Sequence, residues 1–265
     1  MRFRLSCLSI ILFSIYTTHT SAQRVINYNT IAAPTSPAES EALANIFTRR
    51  NPQNDFFYND VRNDVSIEKI LAKASGSPYV NEKFKPCRIV YKNEETGFAY
   101  YRFNAHNNEI ELKEHAAAEK IFSLNIDPNI AIKDLENNEL ILLKRVLDSK
   151  SKVSNSYVNL LLTSNTINLY RRTYIKFSEG TEATSSMVIA TNDKFTPYQD
   201  YFIETENTKA LHLVKSNKKS LYEIFPDLKG SIKSMIKEQS LNLKKEEDLV
   251  TLIEGISKLI AYKNV

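Results

Sequence analysis

The stretch YYRFNAHNNEIELKEH, residues 100–115, decides how the centre of this chain is read. Two histidines and three glutamates within sixteen residues are the raw material of a metal or acid–base site. Their spacing points elsewhere. Phe98, Tyr100 and Arg102 alternate with Ala99, Tyr101 and Phe103, and beyond NAHNN, Ile110 and Leu112 alternate with Glu109, Glu111 and Lys113. Period two on both sides of an Asn-rich break is the pattern of a β-hairpin. Glu109 and Glu111 then share a face about 7 Å apart, twice the strand rise. A carboxylate pair works as acid and base when burial perturbs its pKa; with Lys113 alongside, a solvated polar face is expected instead.

The same pattern extends on both sides of the hairpin. Short runs rich in Ile, Val, Tyr, Phe and Thr, broken by Asn, Asp, Gly and Lys clusters, predict strands at 88–91, 97–103, 109–113, 120–124, 140–147, 157–164, 168–178, 201–206 and 211–214. The spacers are too short for crossover helices, so neighbouring strands are expected to pair as an antiparallel meander. After Val214 the period changes. A short helix over 218–225 is stopped by Pro226. Leu228, Ile232, Met235 and Ile236 then mark one helical face, and Leu249, Leu252, Ile253, Ile256 and Ile260 mark another. Glu246, Glu247 and Asp248 suit a helix N-terminus by charge. The expected class is α+β: a central curved antiparallel meander, half-barrel-like, with an N-terminal helix and a C-terminal helical hairpin.

The amino-terminal segment carries a different signal. Arg2 and Arg4 precede the apolar run LSIILFSIY (8–16), and TTHTSA (17–22) supplies small residues before Gln23. That is the layout of a secretory signal peptide, with an apolar run too short to span a bilayer. Cleavage is expected after Ala22, with residues 23–75 an extended and helical segment and 76–265 an α+β domain (sheet 88–214, helices 217–262). Within 23–75, Ser36, Pro37 and Glu39 form a helix start, and Gly76-Ser77-Pro78 ends the segment.

Cleavage lowers the basic count from 35 to 33, against 31 acidic residues, so no net charge drives the chain to nucleic acid or to a membrane surface. Cys87 is left as the single cysteine, without a disulfide partner, and beside Pro86 it reads as a small buried residue. No N-x-S/T sequon occurs among many asparagines, which fits a bacterial envelope or secreted protein better than a eukaryotic glycoprotein.

Three segments together, GSPYVNEKFKPCRIVY (76–91), YRFNAHNNEIELK (101–113) and SNKKSLYEIFPDLKGSIKSMIKEQSLNLKKEEDLVTLI (216–253), resemble a family of secreted Bacteroidota-type proteins. Its members share the arginine–aromatic–asparagine–alanine hairpin, the KKS helix and the LKKEEDL helix. The resemblance implies an envelope location and one integrated domain, and it implies no catalytic residues. The chain departs from the family at Cys87, where a glycine is expected after F-x-P, so a turn there is in doubt.

No constellation implies catalysis, a cofactor or a metal. His106, His115 and His212 are scattered, without the H-E-x-x-H spacing or orienting partners a metal site needs. There is no G-x-S-x-G elbow, and five glycines in the whole chain leave little for phosphate-cradling loops. The strand NLYRRTYIKF (168–177) sets Tyr170, Arg172, Tyr174 and Lys176 on one face, against Leu169, Arg171, Thr173, Ile175 and Phe177. Alternating tyrosines and cations stack on sugars or bases and hold anions; equally, they cover core edges while the cations reach water. These four, with Arg102, are the candidate binding residues.

The expected protein is therefore an exported binding protein of the periplasm, outer membrane or exterior, without a transmembrane span in the mature chain. Envelope protein, lipid or glycan would be its partner, not nucleic acid. The alternatives are an envelope- or glycan-directed hydrolase using carboxylates, and a structural or adhesive envelope component.

Overall fold

A computed structural model describes residues 74–147, 152–181, 190–205, 210–215 and 217–263. The expected signal peptide, the expected extended segment and the expected helix start at Ser36 lie outside the described residues. Ten strands form one mixed sheet: β1 (Lys85–Tyr91), β2 (Glu94–Asn104), β3 (Glu109–Lys113), β4 (Phe122–Ser123), β5 (Ile130–Asp134), β6 (Leu140–Leu147), β7 (Val153–Thr163), β8 (Ile167–Ser178), β9 (Lys194–Thr205) and β10 (Leu211–Val214). Three α-helices follow: α1 (Lys218–Ile224), α2 (Lys229–Glu238) and α3 (Glu246–Lys263). The α+β class is as expected. None of these helices is long and apolar enough to cross a membrane.

The layout departs from a simple meander in two places. Strand order is β10-β9-β8-β7-β6-β5-β1-β2-β3-β4, so β5 returns past the first hairpins to pair with β1. β10 runs parallel to β6, with Leu211 opposite Val146, so β6 to β10 are linked in a ring of pairings. β5 was not legible in the sequence. Four of its five residues are buried, and a strand covered on both faces loses the alternation that identifies one. The first half of β9, KFTPYQD, was missed for its polarity and for Pro197. Pro197 is accommodated because Ile175, its partner on β8, turns its own N–H and C=O away, towards residues 105 and 106.

That detail explains the NAHNN turn. β7 and β8 pair only over Asn159–Thr163 and Asn168–Arg171, then diverge beyond a bulge near Leu160. The tip of the β2–β3 hairpin docks on the edges they leave. Ile175 N–H donates to the Ala105 carbonyl at 3.1 Å, and His106 Nδ1 lies 3.1 Å from the Ile175 carbonyl oxygen. On the other side Asn108 acts as a length of strand: its Nδ2 donates to the Asn155 carbonyl at 3.3 Å and its Oδ1 accepts from Tyr157 N–H at 2.9 Å. Asn108 sits at φ 56°, a left-handed conformation that asparagine tolerates. Ala105 and His106 on one side and Asn108 on the other supply the backbone partners that the two separating strands lack.

Three apolar clusters fill the structure. The first gathers Ile89, Ala99, Phe103, Ile110, Leu112 and Ile132 with others of β1–β7 and with Ile175 of β8 and Phe195 of β9. The second packs Leu221, Ile232, Leu252, Ile253 and Ile256 of the helices on Ile167, Leu169, Ile203 and Val214. The third holds Val146, Val158, Tyr170, Phe202 and Leu211, from all five strands of the ring. Of the helix positions read from the sequence at 3.6-residue spacing, Leu228, Ile232, Ile236, Leu249, Leu252, Ile253 and Ile256 are buried, and Met235 and Ile260 are partly so. Cys87 is fully buried within β1, and burial pushes its thiol pKa up, so it is an unreactive core residue; no turn exists there. Gly76 is required: its φ is +82°, and a Cβ would lie 2.5 Å from the Phe195 carbonyl oxygen.

Candidate functional site

Full cross-strand pairing of β8 with β9 places the four candidate residues of β8 on one face, each against a partner: Tyr170 on Phe202, Arg172 on Asp200, Tyr174 on Tyr198, Lys176 on Thr196. The face divides into two halves. In the inner half Tyr170 is 2% exposed and donates to Glu204 Oε2 at 2.5 Å. Glu204 also accepts from Lys144 Nζ at 2.9 Å and Asn168 Nδ2 at 3.1 Å. Burial alone would raise the Glu204 pKa; the hydrogen bonds from Tyr170, Lys144 and Asn168 outweigh it and hold the carboxyl below its usual range. Burial, then the bond to Glu204, pushes the Tyr170 phenol up.

Arg172 stands at the boundary. Its Nη2 is ion-paired with Asp200, and its guanidinium lies 4.9 Å from the Tyr174 ring and 5.1 Å from the Phe202 ring. Beyond it the partners change from carboxylates to aromatics. Tyr174 and Tyr198 stack with centroids 5.4 Å apart and planes 17° from parallel. Lys176 Nζ lies 5.5 Å and 5.1 Å from these two rings. Tyr198 is 42% exposed, and Lys176 is exposed as well. Cations held against ring faces, with one ring open to water, form a platform for flat, partly apolar ligands carrying negative charge.

Arg102 lies on the other long hairpin and is held within the fold. Its guanidinium sits 3.8 Å from the Tyr79 ring and 4.6 Å from the Phe84 ring. It donates to Glu111 Oε2 from Nη2 at 2.5 Å and Nε at 3.1 Å, to the Tyr79 hydroxyl at 3.1 Å and to the Glu82 carbonyl at 3.3 Å. Glu111 Oε1 accepts from the Tyr79 hydroxyl at 3.1 Å. This corrects the expectation of a solvated acidic face: Glu111 is 4% exposed, and both its oxygens are bound. The hairpin forms as expected, but the segment 79–84 that covers its polar face carries no periodic signal.

On the opposite face of β8, Arg171 holds two carboxylates, Glu139 through Nη2 at 2.9–3.0 Å and Glu246 through Nη1 at 2.9–3.1 Å. It thereby ties the β5–β6 turn to the first turn of α3. Burial lowers its pKa, but the two carboxylates override that and raise it. A polar cavity of about 140 Å³ borders Arg171, Glu139, Asp134 and Tyr101. There Tyr101 donates to Asp134 Oδ2 at 2.7 Å, and Lys85 bridges Glu136 at 2.7 Å. Neither Arg171 nor Asp134 was singled out from the sequence, because their partners are 30 or more residues away.

His106, His115 and His212 are each exposed, and among the described residues no three His, Cys, Asp or Glu side chains converge as metal ligands would. Comparison of the chain with protein-family models, with curated proteins and with solved structures gave no match.

Proposed function

We propose that this is an exported bacterial envelope protein that acts by binding, and that it engages an anionic glycan through the outer half of the β8–β9 face. The export reading rests on the basic, apolar and small-residue order of residues 2–22. The binding reading rests on one observation: Tyr174 and Tyr198 are stacked with Lys176 beside them, and Tyr198 opens to water. Tyrosine faces cover the apolar face of a sugar ring, while Lys176 supplies a cation for a carboxylate or phosphate on the polymer. The hydrolase alternative has weaker support, since Glu111 is committed to Arg102 and Tyr79. Binding of a lipid inside the protein would need a cavity of about 300 Å³ or more. Cavities of about 240 and 140 Å³ are seen among the described residues.

The test is titration of the mature chain, 23–265, with uronic-acid and neutral polysaccharides at low and high salt. Saturable binding to the acidic polymer, weakened by salt and lost in Y174A/Y198A, is the expected result. Equal binding by the double variant would remove the platform from consideration.

A further inference from the structure

The helical end of the chain holds a charge surplus that the near balance of the whole conceals. Residues 215–245 contain eight lysines, no arginine and three acids, a net charge of +5, whereas residues 23–265 carry 33 basic against 31 acidic groups. All eight lysines are exposed. Of the eight, only Lys219 meets a carboxylate among the described residues, Glu223 at 3.9 Å. The sheet treats its cations differently: Lys85, Lys133, Lys144, Arg102, Arg171 and Arg172 each pair with a carboxylate.

Three of the eight, Lys229, Lys233 and Lys237, form a row on α2. At about 100° and 1.5 Å per residue, they fall within an arc of about 80° and span about 12 Å. The other exposed positions of α2 are Gly230, Ser231, Ser234 and Glu238. Three of these are small, and the single acid lies about 140° round the helix from Lys233, so no carboxylate interrupts the row. On the inner side Ile232 and Ile236 are buried in the helical core. Met235 closes on α3 so tightly that a Cβ at Gly255 would come within 2.9 Å of its Sδ. That fit fixes the rotation of α2 about its axis and keeps the lysines outward. Lys229 Nζ lies 5.5 Å from the Tyr222 ring, which brings the row against α1, where Lys218 and Lys219 are exposed.

Chemistry and shape narrow the partner. Unpaired charge of one sign complements closely spaced anions. A lysine ammonium is a hydrated point charge and lacks the planar fork with which arginine grips one carboxylate or phosphate, so the row suits a field of phosphates better than a single group. A glycan or nucleic acid strand calls for a groove or rings to stack on. The cavities of about 240 and 140 Å³ are lined by sheet and loop residues, and α2 contains no aromatic residue. A convex helix face studded with lysines fits a flat anionic surface.

We propose that α2 docks the protein on the phosphate surface of a bilayer containing anionic phospholipid, through Lys229, Lys233 and Lys237. The apolar side of α2 is already buried, so the contact is electrostatic and peripheral, without insertion. It does not rest on the glycan platform of β8–β9.

Co-sedimentation of residues 23–265 with vesicles tests this. Vesicles with about one-third phosphatidylglycerol should bind the protein at low ionic strength, and pure phosphatidylcholine should not. Binding should vanish at about 0.5 M salt, where charges are screened within a few ångströms. K229Q/K233Q/K237Q should weaken it on the order of 100-fold, at about a tenfold loss or slightly less for each lysine. K83Q/K120Q/K194Q removes the same charge from exposed positions elsewhere and should lose far less. Both triple variants should melt with the parent, since glutamine and lysine are similar in helix propensity and every site is exposed. Y174A/Y198A should bind vesicles unchanged, which separates failure here from failure of the platform. Four results would each overturn the proposal: equal binding to phosphatidylcholine, a loss in K229Q/K233Q/K237Q no greater than in K83Q/K120Q/K194Q, loss of vesicle binding in Y174A/Y198A, or capture of a soluble polyanion through the three lysines without any binding to vesicles.

Discussion

The two long hairpins, β2–β3 and β8–β9, are built alike and end differently. Each sets an arginine directly across from an acid, Arg102 opposite Glu111 and Arg172 opposite Asp200, and each buries a tyrosine that donates to a carboxylate, Tyr101 to Asp134 and Tyr170 to Glu204. On β2–β3 the segment carrying Tyr79 and Phe84 folds over the arginine, leaving Glu111 4% exposed. On β8–β9 the arginine is flanked by Tyr174, whose stacked partner Tyr198 is open to water. The same cross-strand chemistry becomes a structural pin where another segment covers it, and a surface able to meet a ligand where none of the described residues do.

The largest effect is expected from R102A. It leaves the Glu111 carboxylate buried without its cation, and removing one partner of a buried pair costs about 3–5 kcal/mol. Urea denaturation should show that loss; under about 1 kcal/mol would mean Glu111 regains water and the covering segment is loose.

Alkaline pH comes next and acts on both hairpins. Tyr101 and Tyr170 have phenol pKa values raised by burial and by their carboxylate partners, so the folded state keeps protons that the unfolded chain releases above about pH 10. Their contribution is complete below that pH and declines as pH rises, by roughly 1.4 kcal/mol per pH unit for each tyrosine. Y101F and Y170F should each flatten the slope of stability against pH above 10; an unchanged slope in Y170F would mean that its hydroxyl is solvated.

R172A should cost less than R102A, about 1–2 kcal/mol, because the Asp200 side chain is 25% exposed and keeps part of its hydration. Equal losses for the two arginines would erase the distinction between pin and platform. The smallest stability effect belongs to Y198A, about 0.5–1 kcal/mol for one cross-strand aromatic pair. A loss above about 2 kcal/mol would make Tyr198 a core residue instead of a ligand contact.

Legibility followed the range of the interaction. Strands β2, β3, β6, β7, β8 and β10 and all three helices stood out because their apolar residues recur at period two or 3.6 within a short window. The face carrying Tyr170, Arg172, Tyr174 and Lys176 followed from alternation alone. β5, the first half of β9 and the burial of Glu111 did not, because each depends on a neighbour from elsewhere in the chain. β5 is covered on both faces, Pro197 is tolerated because Ile175 bonds to the hairpin tip, and Glu111 is enclosed by Tyr79 and Arg102.

By itself, then, the sequence determined which segments become strands and helices and which side chains share a face, since backbone geometry translates spacing into direction without help from distant residues. Tertiary structure decided what those faces meet. Residues 100–115 form a hairpin by their own periodicity, but only the divergence of β7 and β8 makes NAHNN a plug between them. Burial and hydrogen-bond satisfaction are properties of the assembled core, and no local window of sequence contains them.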